Sequence, residues 1–168
     1  MSKIKPGLSI LSISSIAAVL ILFSCGGSTQ PTSQEQQAPR AYLGFDLNIF
    51  PGKDALPALR KTFSFSGYWL SPPPQGKTNN WLGQRELLRS QGFGFLLLYR
   101  GPLSRELKNE AAAAQRGTLD ARNAASVAKS EGFPAQAIIF LDVEEGGRLP
   151  ATYHSYVRAW TAELSRAG

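Results

Sequence analysis

Four short apolar segments recur between residue 41 and residue 168, and a helix-like pattern follows each of them. The segments are AYLGFD (41–46), FSGYWL (65–70), FGFLLLY (93–99) and AIIFLD (137–142). After each segment come turn residues and then apolar positions spaced three or four apart, which predict helices. These helices are expected within 54–62, 81–92, 104–132 and 152–164. The chain is therefore predicted to alternate between strand and helix four times.

This alternation favours an α/β fold with a parallel sheet, because parallel neighbours need a crossover of a dozen or more residues. The third and fourth segments are continuous apolar runs, as expected for strands covered on both faces. Two architectures fit, a doubly wound open sheet and a (β/α)₈ barrel. The first turn, GFDLNIFPG (44–52), has an aspartate where a nucleotide-binding fold would have glycines. We therefore expect a partial (β/α)₈ TIM-type barrel with four strand–helix units in residues 41–168.

The first 24 residues have the layout of a secretory signal, with two lysines, an apolar run from Leu8 to Phe23 and small residues around Cys25. LFSC (22–25) resembles the lipobox of bacterial lipoproteins, which implies cleavage before Cys25 and acylation of its thiol. The run is short for a membrane span of about 20 residues, and an uncleaved signal anchor is the alternative. Residues 25–40 contain no large apolar side chain and should form a flexible tether. An exported domain, lipid-anchored to the bacterial cell envelope, is expected.

Charge and composition argue against several functions. Loss of Lys3 and Lys5 with the signal would lower the formal net charge from +6 to +4, and no dense basic block suggests nucleic-acid binding. His154 is the one histidine, so with no usable cysteine neither a metal site nor another cofactor is expected. No serine stands in a GxSxG pattern, which leaves esterase chemistry without support.

Acidic residues end two of the predicted strands. Asp142 and Glu144 are two apart, so on a strand both carboxylates would point to one side at its carboxyl end. Asp46 ends the first strand in the same manner, and active sites of barrels are built at this edge. A protonated carboxyl beside an ionised one is what glycoside hydrolysis requires. Alternatively, Asp142 caps a helix or pairs with a basic residue, and Glu144 and Glu145 are solvated.

GFD (44–46) and FLDVEEGG (140–147) resemble the first-strand and fourth-strand motifs of the lysozyme-like muramidases of glycoside hydrolase family twenty-five. The intervening segments are more similar to a related bacterial family of glycoside-hydrolase-like domains. They are GYWL (67–70), KTNNWLGQREL (77–87), LLLY (96–99) and GTLDARNAASVAKSEGFP (117–134). The resemblance covers about residue 42 to the end, and it implies a barrel that acts on cell-wall polysaccharide.

The resemblance also implies roles for individual residues. Glu144 matches the general acid and Asp142 its partner, while Asp46 would position substrate or stabilise positive charge on the sugar ring. Around them, Trp69, Tyr99 and Glu145 are candidate substrate-binding residues. Tyr68, Trp69 and Tyr99 lie near strand ends, where aromatic rings either stack on sugars or belong to the core, and Trp69 is the best candidate for stacking.

Two other features of this edge have alternative interpretations. The stiff loop SPPPQGK (71–77) either forms a wall of the cleft or only connects two elements. Arg100 follows the third strand, where it either pairs with an acid or is solvated.

The predicted barrel is short. A complete barrel takes about 250 residues, and about 200 at the least, whereas residues 42–168 number 127. The four units are therefore expected to be the N-terminal half of a barrel, with sheet edges that require a partner or the missing half. Two further hypotheses stay open, a non-catalytic glycan-binding module and an inactive fragment of a longer protein.

Overall fold

The computed structural model describes residues 41–167, which form one parallel sheet with helices in its connections. The predicted signal (1–24) and tether (25–40), with Cys25, lie outside the described residues. The strands are β1 (Gly44–Phe45), β2 (Phe65–Trp69), β3 (Gly94–Arg100) and β4 (Ile139–Asp142). The α-helices are α1 (Leu56–Arg60), α2 (Arg85–Ser90), α3 (Glu110–Ser130) and α4 (Ala151–Ala167). Short 3-10 turns (Lys53–Ala55, Ser104–Glu106) precede α1 and α3.

The order of the strands in the sheet is β1-β2-β3-β4, and all three pairs are parallel. A doubly wound sheet reverses its strand order at a switch point, and these four strands contain no reversal. Adding each strand beside the previous one through a crossover helix is how a barrel is built. The predicted α/β class is confirmed, and the sheet is consistent with part of a TIM-like barrel.

The strands and helices are shorter than the patterns that predicted them. Of the segment 41–46, only two residues pair with β2, and Tyr42 and Leu43 are exposed. The second predicted helix begins at Arg85, because Trp81 belongs to a turn. The backbone N–H of Trp81 donates to the Asn79 side chain at 3.0 Å, and its fully buried indole packs in the core instead.

The register of the strands separates two faces of the sheet, since cross-strand neighbours share a face. We call inner the face that carries the cross-strand neighbours Trp69, Leu98 and Phe140. The neighbours Arg100 and Asp142 lie on the same face. The outer face is marked by the partners Tyr68, Leu97 and Ile139, all of them buried. The outer face is covered by helices, whereas the side chain of Phe140 on the inner face is 48% exposed.

Helices α3 and α4 pack closely because the contact surface of α3 is lined by small residues. At Gly117 a Cβ would lie 2.3 Å from the backbone oxygen of Tyr156 and 3.0 Å from the nitrogen of Trp160. The buried alanines of α3 are Ala113, Ala121, Ala124 and Ala128. The stripe predicted on α4 is confirmed, with Tyr153, Tyr156 and Trp160 buried and Val157 and Leu164 packed against the core.

Helix α3 begins and ends at clear local signals. The side chain of Asn109 accepts a hydrogen bond from the backbone N–H of Ala112 at 2.9 Å, which satisfies one of the donors that a helix start leaves without a partner. Gly132 follows the last turn with a φ of 78°, a left-handed conformation that glycine adopts readily. Within residues 41–167, no helix combines the length and apolar character that crossing a bilayer requires.

Candidate active site

Asp46 lies at the carboxyl end of β1, where its carboxylate packs over Gly67 of β2. A Cβ at residue 67 would lie 2.6 Å from Asp46 Oδ1, so only glycine leaves room for this carboxylate. The indole Nε1–H of Trp69 donates to the same oxygen at 3.0 Å. The glycine and the tryptophan of β2 together determine where the Asp46 carboxylate sits.

The charge of Asp46 is influenced by its neighbours on this face. Loss of hydration raises the pKa of Asp46 above its ordinary value, and repulsion from Asp142 raises it further. Hydrogen bonds from the Trp69 indole and the backbone of Leu47 lower that pKa. Although β1 and β4 are the outer strands of the sheet, their strand-end acids interact, as expected when the sheet curves around its inner face.

Asp142 closes β4 beside Arg100, its register partner on β3. One carboxylate oxygen, Oδ2, is buried with no hydrogen-bond donor in the described part of the chain. Burial is the main cause that raises the pKa of Asp142 to about 6, and the neighbouring Glu144 raises it further. The positive charge of Arg100 lowers it. Asp142 therefore keeps its proton in a sizeable fraction of molecules just below neutral pH.

Tyr153 and Gly101 lie directly behind this pair. The backbone N–H of Gly101 donates to the carbonyl of Asp142 at 2.8 Å, and a Cβ on Gly101 would come within 2.7 Å of the Tyr153 hydroxyl. Burial, followed by the negative charges of Glu145 and Asp142, raises the pKa of Tyr153 to about 12. A buried hydroxyl that stays protonated therefore lies beside the acids.

Glu145 connects two loops of this edge. Its Oε2 accepts a hydrogen bond from the backbone N–H of Ser104 at 2.8 Å and another from the Ser104 hydroxyl. These bonds lower the pKa of Glu145, which therefore stays ionised. Glu145 thus joins the loop after β4 to the loop after β3. This contact engages one carboxylate oxygen of a residue that was predicted to bind substrate.

Neither of the two aromatic residues suggested as sugar-binding surfaces exposes a ring face at this edge. The indole of Trp69 is 2% exposed, so it presents no free face for stacking and instead holds Asp46. Tyr99 is buried on the outer face, where its hydroxyl bonds to Asn123 of α3 at 3.3 Å. Asp46, Asp142 and Glu144 are thus brought to one edge, whereas Tyr99 points away from it.

A pocket of about 440 Å³ opens at this edge, and Glu144 is the one of the three predicted catalytic acids that lines it. Its lining includes Glu144, Arg100, Arg105 and the loop residues Pro74 and Gln75. The stiff proline loop therefore forms a wall of the cleft. Gln75 has a φ of 61°, an uncommon conformation for a residue other than glycine and one that often occurs at functional sites.

A second cavity, of about 540 Å³, lies between the ends of α3 and α4 and the start of β4. Its walls are mostly apolar, with Phe133, Ile139 and Leu164 among them, and no carboxylate lines it. Although it is larger, this cavity contains no group that can donate or accept a proton at neutral pH apart from Lys129. Of the two cavities, the smaller one is therefore the candidate site for acid–base chemistry. Among residues 41–167, no group of three or more histidine, cysteine or acidic side chains is placed to hold a metal ion.

Sequence reasoning missed three residues that shape this site: Gly67, Arg105 and Tyr153. A glycine within a strand often marks a close approach of another group, so Gly67 did carry a signal. Arg105 and Tyr153 carried none, because their positions depend on contacts between distant loops and helices.

A parallel sheet in sequential order, with carboxylates gathered at its carboxyl edge, defines a (β/α)-barrel type of protein with a strand-end acidic site. More particularly, this chain belongs to the family of Rv2525c-like, glycoside hydrolase-like domains, whose model matches residues 67–168. The match includes Asp142 and Glu144, whereas Asp46 precedes it. It also begins later than the resemblance from about residue 42 that the motifs indicated.

Two solved structures are similar in fold. An uncharacterized protein of B. stearothermophilus is 24% identical, with a TM-score of 0.55, over 73% of this chain and 55% of that chain. The Tat-secreted protein Rv2525c of Mycobacterium tuberculosis, crystallised in complex with HEPES, is 19% identical, with a TM-score of 0.48, over 67% of this chain and 58% of that chain. The chain thus spans little more than half the length of either protein. A comparison with curated proteins gave no match.

Proposed function

We propose that this chain is an exported, membrane-anchored domain that cleaves cell-wall glycan, with the Asp142–Glu144 pair as its general acid. The observation that carries the proposal is the pair itself. Asp142 has a pKa of about 6, raised in part by its neighbour Glu144, and Glu144 lines the pocket. A glycoside hydrolase needs a carboxyl group that is still protonated near its working pH.

In this mechanism Glu144 is the member of the pair that meets the substrate. Its side chain lines the pocket and is exposed, whereas Asp142 is partly buried behind it. In this proposal the proton of Asp142 passes by way of the Glu144 carboxylate to the glycosidic oxygen, as the bond between that oxygen and the sugar carbon breaks. The positive charge of Arg100 beside Asp142 offsets part of the negative charge that the pair gains. A water molecule from solvent then adds to the sugar carbon whose bond to the leaving oxygen has broken, and its proton returns to the pair.

Asp46 supplies the second requirement, a negative charge that stabilises the positively charged sugar ring in the transition state. Its carboxylate is held by the Trp69 indole over Gly67, so its direction is set before substrate arrives. Preorganised charges of this kind contribute more than charges that must reorient during the reaction.

The proposed kinship and location rest on the sequence. The GFD and FLDVEEGG motifs support a relation to the lysozyme-like muramidases of glycoside hydrolase family twenty-five, and the family description supports glycoside-hydrolase-like chemistry. The signal-like first 24 residues and LFSC support export and acylation of Cys25. Acylated in this way, the domain would reach cell-wall glycan from the membrane surface through its tether.

The direct test is release of reducing ends from purified peptidoglycan by the full-length chain. Glu144→Gln and Asp142→Asn are each expected to lower the rate by about 10²-fold or more, the contribution of a positioned general acid. The matched control is Glu86→Gln, which alters an exposed acid on α2 that is not part of the pocket lining. If Glu144→Gln cleaved as fast as the unaltered chain while remaining folded, its role as the acid would be refuted.

A second candidate function is glycan binding without cleavage, which the exposure of Glu144 favours, because catalytic acids are usually kept in a desolvated environment. In that case the full-length chain would be retained on insoluble peptidoglycan. Long incubation would release no reducing ends, and Glu144→Gln would leave retention almost unchanged.

A further inference from the structure

Two arginines line the pocket, and neither guanidinium lies within salt-bridge distance of an acid among residues 41–167. Arg100 ends β3 and Arg105 lies in the following 3-10 turn, and both contribute to the pocket wall. Within residues 41–167, neither guanidinium forms a salt bridge or a side-chain hydrogen bond with an acid. Several other arginines of this region do so, among them Arg89, Arg116 and Arg122.

The acids of the same pocket are already engaged with other groups. Glu106 Oε2 accepts a hydrogen bond from the backbone N–H of Leu103 at 2.7 Å, which closes the 3-10 turn. Glu144 lies beside Asp142 and raises the pKa of that residue. Arg100 and Arg105 act on Asp142 and Glu145 through charge alone. Among the described residues, the N–H groups of both guanidinium groups therefore stay available to a ligand.

Both arginines are held by backbone contacts rather than on loose loops. The backbone N–H of Arg100 donates to the Ser71 hydroxyl at 2.8 Å. Ser104, which precedes Arg105, is held to Glu145 through its backbone and its hydroxyl. The backbone positions of the two arginines are thus set in advance, which lowers the entropy lost when a ligand binds.

The remaining walls suit a ring with one charged substituent. Pro74 and Leu103 are apolar, and Gln75 offers an amide. A volume of about 440 Å³ falls in the usual range for small-ligand sites. A planar guanidinium matches a carboxylate in a two-point contact.

We propose that this pocket binds the carboxylate of an acidic saccharide through Arg100 and Arg105. The inference rests on the proposed function, from which it takes a saccharide as the ligand. It goes further by naming the charged group through which that saccharide is selected. The sugar ring would lie along Pro74 and Leu103, with its glycosidic oxygen toward Glu144.

The test measures the binding of matched pairs of ligands to the isotope-labelled full-length chain by NMR. N-acetylmuramic acid and N-acetylglucosamine differ by a lactyl carboxylate, and glucuronic acid and glucose differ by a ring carboxylate. In each pair the acidic sugar is expected to bind about tenfold more tightly, as one charge-assisted contact would give. The pair with the larger ratio distinguishes a lactyl from a ring carboxylate, and inorganic phosphate serves as the probe for simple anion binding.

Substitutions connect the preference to the two arginines. Arg105→Gln and Arg100→Gln should each abolish most of the preference, Arg105→Lys should retain part of it, and Arg89→Gln on α2 should leave it unchanged. Circular dichroism checks that each variant is folded. Equal binding of acidic and neutral sugars would overturn the inference and leave the proposed glycan function standing. Binding of phosphate as tight as that of the acidic sugars would overturn it as well, and so would the absence of any sugar binding. The peptidoglycan assay decides the proposed function separately.

Discussion

Replacing Gly67 with alanine should displace Asp46 while leaving the rest of the sheet in place. The added Cβ would lie 2.6 Å from Asp46 Oδ1 and 3.1 Å from Asp46 Cγ. On its other side it would lie 3.1 Å from Leu98 Cδ1, so the new methyl group cannot retreat into the core. The carboxylate is the group that must move.

The size of the effect follows from these distances. Ordinary contact begins near 3.4 Å, so Oδ1 must move by about 0.8 Å, a large displacement for a packed atom. That movement stretches the 3.0 Å bond from the Trp69 indole. A hydrogen bond to a charged group contributes about 1.5–3 kcal/mol, with the lower end appropriate for a partly exposed carboxylate, and alanine regains about 0.5–1 kcal/mol over glycine in a strand. The free energy of unfolding should therefore fall by about 1 kcal/mol.

The three tryptophans provide an internally controlled assay. In a ¹⁵N-labelled chain, the indole N–H of Trp69 bonds to Asp46, that of Trp81 donates to the carbonyl of Leu47 at 3.0 Å, and that of Trp160 is buried without a partner among the described residues. Gly67→Ala should shift the Trp69 signal and leave the Trp160 signal in place. Asp46→Asn should move the same signal, and urea unfolding measures the change in stability.

Two results would refute the reasoning. An unchanged Trp69 signal in Gly67→Ala would show that the carboxylate accommodates the methyl group without losing its donor. A gain in stability of about 0.5–1 kcal/mol would show that only the conformational preference of alanine was felt. If glycan cleavage is established, the variant should also lose activity in parallel with Asp46→Asn.

The remaining predictions concern the acid pair and the helix packing. The pKa of Asp142 is about 6 in the folded chain and ordinarily 3.8. Between pH 3.8 and about pH 6 the folded chain therefore binds more protons than the unfolded chain. Its free energy of unfolding should then fall as pH rises from about 4 to about 6, and urea unfolding at several pH values should show no such fall in Asp142→Asn. Gly117→Ala should destabilise the chain by about 1 kcal/mol or more, because the new Cβ would meet the backbone of α4. Alanine is otherwise the better helix former. Thermal unfolding of Gly117→Ala is therefore compared with that of Ala111→Gly, which makes the reverse exchange at an exposed position of α3. Tyr156→Phe removes a 2.9 Å bond to buried Asp120 and should lower the free energy of unfolding by about 1–2 kcal/mol, whereas equal stability would mean that Arg116 alone satisfies that carboxylate.

The fold was largely predictable because its signals are local. Apolar runs with turns between them specified the four strands, and Asp46 and Asp142 at strand ends placed an acidic site at the carboxyl edge. The stripe on α4 was visible as a helical period. Strand ends were less predictable, since pairing decides where a strand stops, and β1 keeps only Gly44–Phe45.

The direction of the aromatic side chains was not predictable, and the reason is physical. A parallel strand covered on both faces has apolar residues at every position, so its sequence does not mark which face is which. Tyr99 and Trp69 look equivalent in the sequence, yet the register places Tyr99 against α3 and Trp69 against Asp46. Glu145 likewise reaches Ser104, 41 residues away in the chain, through a contact that no local pattern encodes.

The acidity of the site is a property of the sheet as a whole. Asp46 and Asp142 come from the two outer strands, β1 and β4, and the charge of Asp142 helps to raise the pKa of Asp46. Strands that lie about 4.8 Å apart in a flat sheet would hold outer strand ends about 14 Å apart, so the repulsion depends on curvature. A contact that tightened the curve would bring the carboxylates closer and raise the pKa of each, because like charges favour the protonated form. A group that packs against the inner face or the edges of this sheet should therefore shift the pH range in which Asp142 can donate a proton.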